Sequence, residues 1–132
     1  MIDMEHILYS DGNSKRISWL IKTADSIKKQ FREQADIYRD KVTVLQSKYI
    51  ALHVGIFWSI GVFIIKNQDT VRVKLDSSEM LNHLAEKETT ADEFAKKRKL
   101  FIDQLARQRN LNLIYEKIDP SENFASSLLS EH

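Results

Sequence analysis

The chain has no cysteine, one proline and three glycines in 132 residues. Without cysteine there is no disulfide, no thiolate metal site and no thiol nucleophile. A reducing, cytoplasmic setting suits that composition. So few backbone breakers point to a helical chain. An excess of one charge is lacking too: 20 Lys and Arg face 19 Asp and Glu, for a formal net charge of +1. No bulk attraction to nucleic acid or an anionic membrane follows, so any such attraction needs local clustering. The first twelve residues place acids early and lack a basic-then-apolar layout, so no signal peptide is expected. No GxxxxGK[ST], GxGxxG or GxSxG pattern occurs, which removes the familiar phosphate loops and the serine nucleophile elbow. At this length one domain, 1–132, is expected.

What is present reads first as helix. Ile17, Leu20, Ala24, Ile27, Phe31, Ala35, Tyr38, Val42, Leu45, Tyr49, Leu52 and Ile56 follow one another in steps of three and four. That is a heptad seam with one stutter near Phe31–Ala35. The spacing predicts a tail over 1–13, one long amphipathic helix over 14–60, and a strand-and-helix remainder over 61–132. A helix of that length would span roughly 65–70 Å, against about 30 Å for a compact domain of this size. A projecting apolar seam needs a partner. Ile17, Leu20, Ala24, Ile27, Phe31, Tyr38, Val42 and Leu45 are therefore the expected partner-binding residues, and a homodimer or another protein the expected partner.

The one long apolar run is YIALHVGIFWSIGVFII, Tyr49 to Ile65. As helix it reaches only about 25 Å, short of a hydrocarbon core of about 30 Å. Trp58 lies near its middle, where an interfacial anchor is misplaced. A membrane span through 49–65 is thus disfavoured. Ala51, Gly55 and Ser59 share one side, where small residues let another helix approach closely. A helix apolar nearly all round is buried, so the run reads as the central core element.

Beyond it, Val71, Val73 and Leu75 alternate with Arg72 and Lys74, which predicts a strand. Val62–Ile65 is a candidate hairpin partner, or else the long helix runs on to Lys66. LNLIYEKI alternates imperfectly and is a candidate second strand. Helices are expected near 77–86, 91–109 and 120–130, capped by Asp76, Thr90 and Asp119. The expected fold is mainly α: a long helix packed with three shorter ones, with room for a small β element over 62–66, 71–75 and 111–118.

Candidate chemistry is sparse. None of the four histidines pairs with another at helical spacing. His83 could share a face with Glu79 and Glu86, but a surface histidine among carboxylates is the plainer reading. His53, inside the apolar run, is more plainly a satisfied core histidine than a buried base. No metal, cofactor or catalytic residue is expected. The strongest polar feature is a basic helix carrying Lys96, Lys97, Arg98, Lys99, Arg107 and Arg109, which could contact phosphates. Its bland counterpart is a solvated face with ion pairs from Asp92 and Glu93. The sequence therefore points to a small non-enzymatic interaction protein, an adaptor or accessory subunit. Nucleic-acid binding through 96–109 is the alternative.

Overall fold

A computed structural model describes residues 4–130. The chain is α/β, not mainly α. Five strands form one mixed sheet: β1 (Glu5–Gly12), β2 (Arg16–Thr23), β3 (Ser26–Glu33), β4 (Thr70–Leu75) and β5 (Asn112–Lys117). Their order is β3-β2-β1-β4-β5. β1, β2 and β3 pair antiparallel, whereas β4 runs parallel to both β1 and β5. The helices are α1 (Val44–Gly61), α2 (Ser78–Leu84) and α3 (Glu93–Arg109). Two 3-10 turns, Pro120–Glu122 and Ser126–Leu129, close the described chain.

The expected helix over 14–60 is therefore β2, β3, a loop and only then α1. Ile17, Trp19 and Ile21 are buried on one face of β2, whereas Leu20 and Lys22 point the other way. That is period two. Steps of three and four fit this stretch only if Trp19 and Ile21, both buried, are passed over. The two-residue turn between β2 and β3 puts Ala24, its first residue, at φ 52, a conformation usually signalled by glycine at that position. The supposed tail over 1–13 contributes β1, the middle strand of the sheet; its residues 1–3 lie outside the described residues, as does His132.

Thr43 ends the following loop. Its hydroxyl accepts from the Gln46 N–H, and the Gln46 side chain accepts from the Thr43 N–H. This reciprocal box starts α1. The Ala51–Gly55–Ser59 side of α1 does meet a close neighbour, but it is a strand, not a helix. A Cβ on Gly55 would lie 3.1 Å from the Trp19 Cβ. Trp19, Leu52, Ile56, Val71, Val73 and Ile102 are fully buried between sheet and helices. Each such side chain contributes about 1.5–3 kcal/mol by leaving water. The outer side of α1 is open: Phe57 is 64% exposed. No helix among the described residues is long and apolar enough to cross a membrane.

Val62–Ile65 is not a strand. The N–H groups of Val62, Phe63, Ile64 and Ile65 donate to Trp58, Ile60, Ser59 and Ser59 carbonyls respectively. They terminate α1 and leave nothing for a hairpin. Strands over 71–75 and 111–118 are found, as β4 and β5, but as parallel neighbours. α2 and α3 match their expected helices with shifted caps: Ser77 and Asp92, not Asp76 and Thr90, hold the first-turn N–H groups. The expected helix over 120–130 is two short 3-10 turns. They pack on the sheet face opposite α1, where Ser18 donates to the Ala125 carbonyl and Tyr9 meets Phe124 edge-on.

Candidate functional site

In a sheet of this kind, ligands bind outside the carboxyl ends of parallel strands. β1 and β4 are the adjacent parallel pair at the centre. β1 ends on Asp11–Gly12, and Asp76 follows β4 directly. The first turns of α1 and α2 begin beside those ends. The tight approach of Gly12 to α1 sets the spacing, since a Cβ there would lie 2.6 Å from the Ser47 carbonyl oxygen. Lys48, next along α1, thereby reaches between the two acids.

Lys48 Nζ donates to Asp11 Oδ1 at 2.7 Å and to Asp76 Oδ1 at 2.9 Å. The remaining carboxylate oxygens are also engaged. Ser126 Oγ donates to Asp11 Oδ2, and Asn123 Nδ2 donates to Asp76 Oδ2 at 3.0 Å. Asp11 Oδ1 accepts the Gly12 N–H as well. Asn123 is itself fixed by donating to the Ser10 carbonyl and accepting from the Ala125 N–H. Burial disfavours the charged Lys48, but the hydrogen bonds to Asp11 and Asp76 outweigh it and raise its pKa. Burial likewise works against an ionised Asp76, and Asn123 and Lys48 overcome it, leaving its pKa lowered. The result is a fixed, charged triad of two carboxylates and one ammonium.

None of these residues was singled out as a site in the sequence. Asp76 falls at an expected helix cap, and Lys48 immediately precedes the apolar run. The available signal was an acid ending each of two short apolar strands. The expected partner-binding residues do not form a seam. Ile17 is in the core; Leu20, Ile27 and Phe31 lie on the opposite sheet face; Ala24 is at a turn; Tyr38 and Val42 are in the loop; Leu45 is in α1. With the seam gone, so is the ground for a coiled-coil homodimer.

The basic helix exists, and its cations divide. Arg98 lies over the rings of Tyr38 and Phe94 and donates to Tyr38 Oη and His53 Nδ1. Lys99 pairs with Glu86 and Asp103, and Lys96 with Glu93. Lys97, Arg107 and Arg109 are exposed. α3 runs alongside α1 in the same direction, with Asp92 bonded to Gln46 and the Arg109 carbonyl accepting from Gln68. Lys96 and Lys97 thus sit toward the cleft end, and Arg107 and Arg109 at the far end.

The three histidines among the described residues are held in structural contacts. His53 accepts from Arg98 and stacks on Phe101; burial, then Arg98, push its pKa down to about 4. His83 is buried, not at the surface as expected, and its Nδ1 meets Tyr49 Oη. His6, buried, bonds Asp69 and Thr23 at the opposite end of the sheet.

No protein-family model matches the chain, and no curated protein matches it. Solved structures do. RNase H1 from the halophilic archaeon Halobacterium salinarum NRC-1 superposes with a TM-score of 0.75 at 13% identity, over 96% of this chain and 94% of that one. The chain has an RNase H-like fold. The N-terminal RNase H domain of a Mycobacterium tuberculosis protein gives 0.73 at 17% identity, over 96% and 91%. LC11-RNase H1 in complex with an RNA/DNA hybrid gives 0.68 at 14%, over 96% and 93%. These matches overturn the expectation of a non-enzymatic helical adaptor, because the structures sharing this RNase H-like architecture are nucleic-acid-processing enzymes. Absence of a familiar motif was no ground for excluding an enzyme.

Nucleases that use paired metal ions clamp them, about 3.5–4 Å apart, between carboxylates. The residues of this RNase H-like cleft do not fit such ions. It offers two carboxylates, both already bound to an ammonium, and Ser126 and Asn123 present hydrogen-bond donors to them. Among the described residues no group of three or more His, Cys, Asp or Glu could hold a metal. No step through a divalent metal is derived.

Proposed function

We propose that this chain binds nucleic acid, and specifically an RNA–DNA hybrid duplex, across the cleft at the carboxyl ends of β1 and β4. The observation that carries the reading is the near-full-length likeness to RNase H1 structures, one of them solved on an RNA/DNA hybrid. The local geometry supports it. Lys48 offsets one of the two buried negative charges. Around the same end lie the exposed cations Lys41, on the loop tied to residue 14 by the Asp40 N–H to Ser14 carbonyl bond, and Lys97, near the start of α3; Lys15 beside them is paired with Asp40. Cations of this kind bind phosphates by releasing counterions, whatever the sequence.

The test is fluorescence anisotropy with a labelled RNA–DNA hybrid between about 50 and 200 mM salt. Affinity should fall steeply with salt. Lys41→Gln and Lys97→Gln should each weaken binding and lower the salt slope by about one. Arg107→Gln and Arg109→Gln, at the far end, should leave both unchanged. Absence of hybrid binding at micromolar protein, or equal losses from the far-end variants, overturns the reading.

A further inference from the structure

Asp11 Oδ1 and Asp76 Oδ1 both lie within hydrogen-bond reach of one point, and Lys48 Nζ occupies it. A cation shared by these two oxygens would sit there. We infer that Lys48 is the built-in cation of this cleft, and that while its ammonium stays between Asp11 and Asp76 the cleft takes no divalent metal.

Three features beyond the ion pairs argue for it. First, the oxygens turned away from Lys48 are taken by the Ser126 hydroxyl and the Asn123 amide. A hard cation such as Mg2+ needs six oxygen ligands in near-ideal octahedral geometry, and Ser126 and Asn123 turn donors, not acceptors, toward the acids. Second, the lysine is held by its helix. Ser47 and Tyr49 on either side are buried, and Gly12 fixes α1 against β1. Third, the charge is nearly balanced. Two carboxylates and one ammonium leave a single net negative charge, too little to draw a divalent ion out of water. The ammonium side chain is only 18% exposed, so its displacement would break two short ion pairs in partly buried surroundings.

This inference concerns the same cleft as the proposed hybrid binding but does not need nucleic acid to be tested. Mn2+ is titrated into the purified protein, and free Mn2+ is followed by electron paramagnetic resonance. The wild type should show no site tighter than roughly millimolar. Lys48→Glu, which supplies a third carboxylate, should bind Mn2+ roughly tenfold more tightly or better. Lys48→Gln should gain affinity in the same direction but less. Both gains should vanish when Asp76→Asn is added. A wild-type site in the micromolar range that Asp76→Asn removes overturns the inference, and so does a failure of Lys48→Gln to gain affinity. If Lys48→Glu does not fold, Lys48→Gln and the wild-type titration still decide. With no nucleic acid in the cuvette, a failure here is separate from a failure of hybrid binding.

Discussion

Replacing each glycine with alanine in turn probes the close contact that builds the cleft. None of the glycines has a positive φ, so alanine strains no backbone and only space decides. At Gly12 the new Cβ would lie 2.6 Å from the Ser47 carbonyl oxygen and 2.8 Å from its carbon. Backbone cannot rotate away, so α1 and β1 must part by most of an ångström. Overpacking of this kind costs about 1–3 kcal/mol. Alanine also restricts the unfolded chain, which offsets about 0.4–1 kcal/mol. A net loss of about 1–2 kcal/mol is expected. At Gly55 the Cβ meets Trp19 at 3.1 and 3.2 Å, so Gly55→Ala should be close to neutral or mildly destabilising. At Gly61 nothing lies within 4 Å, and Gly61→Ala should stabilise by about 0.5 kcal/mol through helix propensity. Urea unfolding followed by tryptophan fluorescence measures all three. The order Gly12, Gly55, Gly61 is the prediction. Gly12→Ala proving as stable as wild type, or Gly61→Ala as damaging as Gly12→Ala, would refute the packing of α1 on β1.

Removing the Lys48 charge with Lys48→Met leaves Asp11 and Asp76 facing each other. Breaking such a pair costs about 3–5 kcal/mol at pH 7 in urea unfolding. One carboxylate then has a folded pKa above its unfolded value, so the lost stability should return as pH falls through that raised pKa; a deficit that widens on acidification counts against the arrangement. His53, held neutral with a pKa of about 4, works in the opposite sense. The unfolded chain takes up its proton first, so this contribution is intact above about pH 6.5 and lost as pH falls toward 4. Its partial exposure limits the effect to about 1 kcal/mol, and His53→Gln should flatten that part of the profile of unfolding midpoint against pH. Phe63 sits at φ 65 and is 78% exposed. Phe63→Asn, better suited to left-handed backbone, should raise stability by about 1 kcal/mol, and a drop in thermal midpoint contradicts the helix ending described.

How much of this was legible depends on which signals compete. β4, α2 and α3 could be read because alternation at Val71, Val73 and Leu75 and the acids and serines around 76–79 and 90–93 are local signals. β2 and β3 were lost because a seam of three-and-four steps runs through two strands that also carry period two. The Ala24 turn gave no glycine to break the tie. The Thr43–Gln46 box was legible in sequence and places the start of α1, but the continuous seam obscured it. The cleft was harder. Asp11 and Asp76 are 65 positions apart, and only the parallel pairing of β1 with β4 brings them together. Lys48 joins them through the close approach of Gly12 to Ser47, which is a tertiary fact. The basic stretch 96–109 looked like one surface, yet ion pairs and the stacking of Arg98 on Tyr38 and Phe94 consume half of it.

On the proposed reading this RNase H-like cleft, with Lys48 as its fixed cation, engages an RNA–DNA hybrid. Anisotropy of a labelled hybrid titrated with the wild-type protein, once in EDTA and once in Mg2+ at matched ionic strength, tests it most directly. Affinity in Mg2+ should be no higher than in EDTA, because Mg2+ here only competes for the phosphates. Binding that appears only with Mg2+, or no binding in either, contradicts it.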